Sequence, residues 1–191
     1  MEVGGIKLQP HQIAPIRYLL EHPEQKGLLI AHYLGTGKTF LSLAFAELAS
    51  NKKVVIVVPE FLRASWVSQM SRMHLQKPER YRIFSYEEAA HSLTKNHLLE
   101  SVLIIDEVHH LVALAKSDKK STRQQFAKLY EELSAADRIL ALSGTPIFTD
   151  LSDIAYVLNL VSGQELLPYN NREFLDKYTK IALIILNFNH Y

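Results

Sequence analysis

Short, uninterrupted apolar runs recur along the chain: Leu28-Leu29-Ile30-Ala31, Val54-Val55-Ile56-Val57-Val58, Val102-Leu103-Ile104-Ile105 and Ile139-Leu140-Ala141-Leu142. Tyr81-Arg82-Ile83-Phe84 is a fifth candidate. None of the first four alternates polar with apolar residues. Runs of this length without alternation predict strands buried on both faces, the habit of parallel sheets. Between them the apolar spacing changes to that of helices. Pro10 can open a helix whose stripe is Ile13, Ile16, Leu19 and Leu20. Residues 38–49 place Leu41, Ala44, Phe45 and Leu48 on one face, and 61–73 do the same with Leu62, Trp66, Met70 and Met73. Phe126, Leu129, Tyr130 and Leu133 repeat the spacing. Strands alternating with helices of this length predict βαβ units, hence an α/β fold with a parallel sheet covered by helices on both faces.

Composition narrows the class. The 191 residues are 48% hydrophobic and 21% charged, as in a globular domain. Net charge is +1, so any nucleic-acid contact must come from a local patch. There are no cysteines, which removes disulfides, zinc fingers and thiol catalysis. The N-terminus lacks the pattern of a signal peptide, and the apolar runs are far shorter than the roughly 20 residues of a membrane span. A soluble, intracellular protein with no membrane partner is expected, in the cytoplasm or virion if viral and otherwise in the nucleus or cytoplasm. The polar stretch from Lys116 to Arg123 reads as a solvated loop, with phosphate contact as the alternative.

The segment Ala31-His32-Tyr33-Leu34-Gly35-Thr36-Gly37-Lys38-Thr39 follows a strand and opens a helix, the setting of a phosphate-binding loop. Its backbone N–H groups and the helix N-terminus can gather phosphate oxygens around Gly35, Thr36 and Gly37. Lys38 can reach the β- and γ-phosphates, and the Thr39 hydroxyl can ligate Mg²⁺. His32 stands where the usual pattern has its first glycine; an ordinary glycine turn capping a helix is the competing reading. The second signal is Ser101 to His110, where four apolar residues are followed by Asp106 and Glu107. Open α/β sheets place ligands at this edge. Asp106 could hold Mg²⁺ directly or through water, and Glu107 could polarise the attacking water. His109 and His110 are adjacent and do not face one metal site.

With both motifs in place, the chain resembles superfamily-two helicases of the Snf2-like branch, from about residue 7 to residue 178. Leu8-Gln9-Pro10-His11-Gln12 resembles the segment whose glutamine reads adenine, which assigns that role to Gln12. Val57-Val58-Pro59-Glu60-Phe61-Leu62-Arg63-Ala64-Ser65-Trp66 looks like motif Ia, and Phe84-Ser85-Tyr86-Glu87-Glu88 like the strand-end motif after it. Asp106-Glu107-Val108-His109 reads as a DExH motif II, and Leu142-Ser143-Gly144-Thr145-Pro146-Ile147 is close to motif III. Within the branch the chain looks most like helicases of large DNA viruses, such as the poxvirus nucleoside triphosphate phosphohydrolase I type.

The resemblance implies a RecA-like P-loop NTPase domain using ATP and Mg²⁺. Glu107 and Lys38 would carry the chemistry. His109, Ser143, Gly144 and Thr145 would couple hydrolysis to domain movement, and Arg63, Trp66 and Tyr86 would touch DNA or RNA. It covers 1–178 as one RecA-like domain and leaves 179–191 unmatched. The second RecA-like domain of such motors, which supplies arginines to the ATP site, is expected to be absent here and to act in trans. A non-hydrolysing ATP-binding module is the reading from another class. A small kinase is a third, against which the motif III match argues.

Overall fold

Each of the five apolar runs is a strand in the computed structural model, which describes residues 1–33, 35–49, 52–145 and 150–179. A short antiparallel hairpin, β1 (Glu2–Val3) and β2 (Ile6–Lys7), comes first. The strands β3 (Gly27–Ala31), β4 (Lys53–Val58), β5 (Tyr81–Ser85), β6 (Ser101–Ile105) and β7 (Arg138–Ser143) then form one parallel sheet in the order β3-β7-β6-β4-β5. Longer helices join them: α1 (Pro10–Glu21), α2 (Lys38–Ala49), α3 (Arg63–Arg72) and α4 (Tyr86–Ser92). After the short α5 (Lys95–Leu98) come α6 (His109–Ala115), α7 (Lys120–Leu133), α8 (Asp153–Ser162) and α9 (Asn171–Phe174).

Successive strand residues feed opposite cores, as the pleat requires. Val54, Ile56, Val58, Val102, Ile104, Leu140 and Leu142 pack with α1, α2 and α3. Val55, Val57, Leu103, Ile105, Ile139 and Ala141 pack with α4 through α8. Both faces are therefore covered, which is why the strands need no polar alternation. Each fully buried Val, Leu or Ile contributes about 1.5–3 kcal/mol by leaving water, so the pattern alone fixes which segments lie inside.

Three expectations change in detail. Leu20 and Leu48 are exposed, so the buried stripes of α1 and α2 are narrower at their C-terminal ends. Residues 60–62 form a 3-10 turn that leaves Phe61 exposed, and α3 starts at Arg63. The polar segment from Lys116 is a loop only to Lys119, because α7 begins at Lys120. Lys116 is paired there with Asp150 and Asp153. Leu34, Pro146, Ile147 and the tail from Lys180 lie outside the described residues.

The register sets up the site. Ala31 pairs with Ser143, Ala141 with Ile105, and Ile105 with Val57. The C-terminal ends of β3, β7, β6 and β4 thus leave the sheet along one edge. Neighbouring strands lie about 4.8 Å apart, so the residues following β3 and β6 are about 10 Å apart, with the end of β7 between them.

Candidate nucleotide site

The loop between β3 and α2 is held from α1. The Gln12 side chain, 6% exposed, donates from Nε2 to the Gly37 carbonyl at 3.0 Å and to the Thr36 carbonyl at 3.4 Å, and accepts from the Gln9 N–H at 2.8 Å. His11 Nε2 lies 2.9 Å from the Thr36 carbonyl, and Thr36 Oγ1 donates to the Tyr33 carbonyl at 2.8 Å. Gly37 takes a backbone conformation that favours glycine, and a side chain there would displace the Gln12 amide. Its φ is +79°, and a Cβ there would come within 2.3 Å of Gln12 Nε2. The expected adenine reader is therefore engaged with the backbone of the phosphate loop.

Lys38 opens α2 and is largely buried. Its Nζ donates to the His32 carbonyl at 2.8 Å and to the Tyr33 carbonyl at 3.3 Å. These are neutral acceptors. An anionic oxygen adds charge–charge attraction to the ammonium that a carbonyl does not offer, so the lysine rests at the loop in a state that a phosphate can improve on. Thr39 follows it on the first turn of α2. His32 presents its carbonyl to Lys38 while its ring meets the His11 ring edge-on, 5.6 Å between centroids. Its buried Nδ1 has no hydrogen-bond partner. Burial, then His11, then Lys38, hold its imidazole below the usual range.

Asp106 leaves the sheet directly after β6, its N–H still bonded to the Val57 carbonyl at 2.9 Å. It is 7% exposed. Oδ2 accepts from Trp66 Nε1 at 2.7 Å, and Oδ1 accepts from the Glu107 N–H at 3.0 Å. Burial raises its carboxyl above the ordinary value, against the Trp66 hydrogen bond; Glu107 adds to the rise and Lys38 opposes it. Glu107 sits at φ +50°, a left-handed conformation that a non-glycine residue rarely adopts. Such strain costs about 1–3 kcal/mol and clusters at functional sites. Glu100 shares it at the turn into β6, so strain alone assigns no role.

His109 bridges two motifs. Its Nδ1 lies 3.2 Å from Glu107 Oε2 and 3.1 Å from Ser143 Oγ, and 3.5 Å from Thr145 Oγ1. The Thr145 N–H donates to Ser143 Oγ at 3.0 Å, and the Val108 N–H to the Leu142 carbonyl at 3.0 Å. Gly144 lies between them. The residue after Asp106 is thus connected through one imidazole to the end of β7.

Two of the three expected nucleic-acid contacts need correcting. Trp66 is 1% exposed and Tyr86 2% exposed, so neither ring is available to a polymer outside. Both turn a polar tip inward instead: Trp66 to the Asp106 carboxylate, and Tyr86 Oη to the Asp106 carbonyl at 2.7 Å and the Glu107 carbonyl at 3.1 Å. Arg63 is at the surface, ion-paired with Glu60 and Glu88.

No group of three or more His, Cys, Asp or Glu side chains suited to a metal occurs among the described residues. Mg²⁺ is commonly held by one or two carboxylates, waters and the phosphates of its nucleotide. The glycine cradle that a Cβ would fill, the lysine resting on carbonyls and the buried Asp106 carboxylate make a donor set suited to a metal–nucleotide pair. Beside them opens a cleft of about 670 Å³ lined by Tyr33, Phe61, Glu107, His109, His110 and Thr145, among others.

Comparison with known proteins agrees with this geometry. Residues 5–79 match the family model of the type III restriction enzyme res subunit. A protein of Acanthamoeba polyphaga mimivirus named as an ATP-dependent RNA helicase is 28% identical over 204 residues, covering 81% of this chain and 34% of the relative. The termination factor NPH-I homolog of African swine fever virus is 29% identical over 175 residues, covering 80% and 24%. The Sulfolobus solfataricus SWI2/SNF2 ATPase core, solved with dsDNA, superposes with a TM-score of 0.68 at 16% identity, covering 94% of this chain and 40% of that one. The chain shares the RecA-like α/β fold of this helicase-type ATPase core. It spans about a third or less of the length of these relatives.

The sequence reading did not single out His11, whose ring closes on the loop after β3 at the Thr36 carbonyl. It also missed the cleft aromatics Tyr33 and Phe61, which are 86% and 74% exposed. Large apolar rings in the loops that follow β3 and β4 were the available signal, since strand ends carry the ligands in such sheets. No helix among the described residues is long and apolar enough to cross a membrane.

Proposed function

We propose that this domain binds ATP with Mg²⁺ and belongs to a nucleic-acid-dependent ATPase motor. One observation carries the reading. Lys38 on one side and Asp106 with Glu107 on the other emerge along the same sheet edge, and His109 connects the acid pair to Ser143 at the end of the strand between them.

The roles follow from charge and position. The N–H groups of Gly35, Thr36 and Gly37 and the ammonium of Lys38 bind the phosphates. Thr39 and Asp106 would hold Mg²⁺, which neutralises charge on the phosphate oxygens. Glu107 orients the attacking water and takes its proton. Gln12 serves adenine from α1, where its side chain also holds the loop. A change at Glu107 is felt by Ser143, Gly144 and Thr145 through His109, the physical content of coupling. Arg63 is the remaining candidate of the three for contact with DNA or RNA. The presence of duplex DNA in the Sulfolobus neighbour supports nucleic acid as the partner class. An intracellular site of action belongs to the same reading.

Among the described residues that line the cleft, none is an arginine. The transition state of phosphoryl transfer spreads negative charge over the γ-phosphate oxygens, and losing an arginine finger costs on the order of 10³–10⁵ in rate, or roughly 4–7 kcal/mol. The polypeptide by itself should therefore bind ATP and turn it over slowly, and a second RecA-like domain supplied in trans should accelerate it. A second reading is an ATP-binding module that does not turn over.

Single-turnover hydrolysis, with and without DNA or RNA, tests this on the parent and Glu107→Gln. The variant should keep its affinity for Mg·ATP and lose hydrolysis. Turnover at the parent rate in Glu107→Gln would place the base elsewhere.

A further inference from the structure

Asp106 is gripped from both faces of the sheet. Trp66 belongs to the core on the α1, α2 and α3 side, and Tyr86 to the core on the opposite side. From the first, the indole N–H reaches Asp106 Oδ2 at 2.7 Å; from the second, the phenol reaches the Asp106 carbonyl at 2.7 Å and the Glu107 carbonyl at 3.1 Å. The Glu107 N–H holds the other carboxylate oxygen, Oδ1, at 3.0 Å.

We infer that Trp66 is a positioning residue for the Asp106 carboxylate, fixing how that group is presented to a divalent cation, while Tyr86 fixes the peptide from which Glu107 turns. The inference rests on the proposed role of Asp106 in holding Mg²⁺.

The chemistry favours it over packing alone. An indole has one donor and no acceptor. A buried indole seeks a partner, and most of its ring would pack as well with its N–H turned to a backbone carbonyl. Here the donor is given to a buried carboxylate at the length of a charge-assisted bond. Each carboxylate oxygen has two lone-pair directions. With one on each oxygen taken by a fixed N–H, the carboxylate cannot rotate freely, and each oxygen keeps capacity for one further partner. Outer-shell bonds of this kind orient metal ligands, and removing one lowers metal affinity by about 10–100-fold. The ion pair between Arg63 and Glu88 also ties α3 to α4, the two helices that carry Trp66 and Tyr86.

Trp66 is the sole tryptophan of the sequence, so its emission reports on this one carboxylate. The test titrates the intact chain with ATP in Mg²⁺ and with ATP in EDTA, following emission and, in parallel, heat of binding. Emission should change when Mg²⁺ and ATP are both present and stay flat with ATP in EDTA. The Mg²⁺-dependent change should vanish in Asp106→Asn. Trp66→Phe keeps an aromatic ring, though a smaller one, and removes the donor; it should weaken Mg²⁺ in the ternary complex by about 10–100-fold while affinity for ATP in EDTA stays at the parent value. An indole that is silent to Mg²⁺ while nucleotide binds overturns the inference alone, as does an emission change that survives in Asp106→Asn. Absence of any nucleotide binding overturns the ATP reading and the inference with it. The emission arm uses the unaltered chain, so a poorly folded Trp66→Phe does not block the test.

Discussion

Tyr86→Phe removes one oxygen atom and leaves a buried ring in place. Burial, followed by the charges of Asp106 and Glu107, holds the phenol well above its ordinary pKa, so the hydroxyl is a donor throughout the working pH range. It serves the Asp106 carbonyl at 2.7 Å and the Glu107 carbonyl at 3.1 Å. Losing a neutral hydrogen bond costs about 0.5–1.5 kcal/mol, and a buried acceptor left unpaired costs about 1–3 kcal/mol. A loss of about 1–3 kcal/mol is expected. For a domain of this size each kcal/mol lowers Tm by about 2–4 °C, so scanning calorimetry should show Tm lower by about 2–12 °C. There is a functional consequence as well. Glu107 is held at φ +50°, and the lost bond is one of those that keep it there. Single-turnover hydrolysis should fall while affinity for Mg·ATP is unchanged. A variant with parent Tm and parent hydrolysis rate would refute the view that Tyr86 braces the peptide carrying Glu107.

Two further outcomes follow from the loop. Gly37→Ala forces a side chain into a left-handed conformation and against the Gln12 amide; Mg·ATP affinity measured by calorimetry should fall at least tenfold, and parent affinity would contradict the cradle. His32 has its folded pKa lowered, by burial first, so the unfolded chain takes up this proton before the folded one does. Stability should therefore decline as pH falls below about 6.5, until His32 titrates in the folded state, and rise with pH across that window. The decline measured by Tm should be smaller in His32→Asn, and an identical pH profile would assign it to other groups.

The sheet was legible because each strand is an apolar run buried on both sides, and no tertiary accident can turn such a run outward without large cost. The placement of the proposed phosphate loop and of the Asp106–Glu107 pair directly after β3 and β6 was legible for a related reason: each follows one of those apolar runs. Trp66 was legible too, but in only one of its two readings. The helical stripe Leu62, Trp66, Met70 and Met73 pointed it inward, while the motif match assigned it to nucleic acid, and the stripe was right. A motif match gives a position along the chain and not the direction of a side chain. The hairpin of β1 and β2 was invisible because two-residue strands have no period, and its Gly4-Gly5 turn announces itself only through positive φ. The cleft aromatics Tyr33 and Phe61 lie in loops, where spacing carries no information about which surface they share.

The central claim is that this sheet edge binds the phosphates of Mg·ATP through Lys38. Titration calorimetry of Mg·ATP into the parent and into Lys38→Ala measures it most directly. In the folded domain the Lys38 ammonium bonds to two loop carbonyls and leaves the strand cores untouched, so the variant should fold with a Tm close to the parent's. The parent should bind one nucleotide, and the folded variant should bind at least tenfold more weakly. Equal affinity in parent and variant, or no binding by a folded parent, would contradict the account.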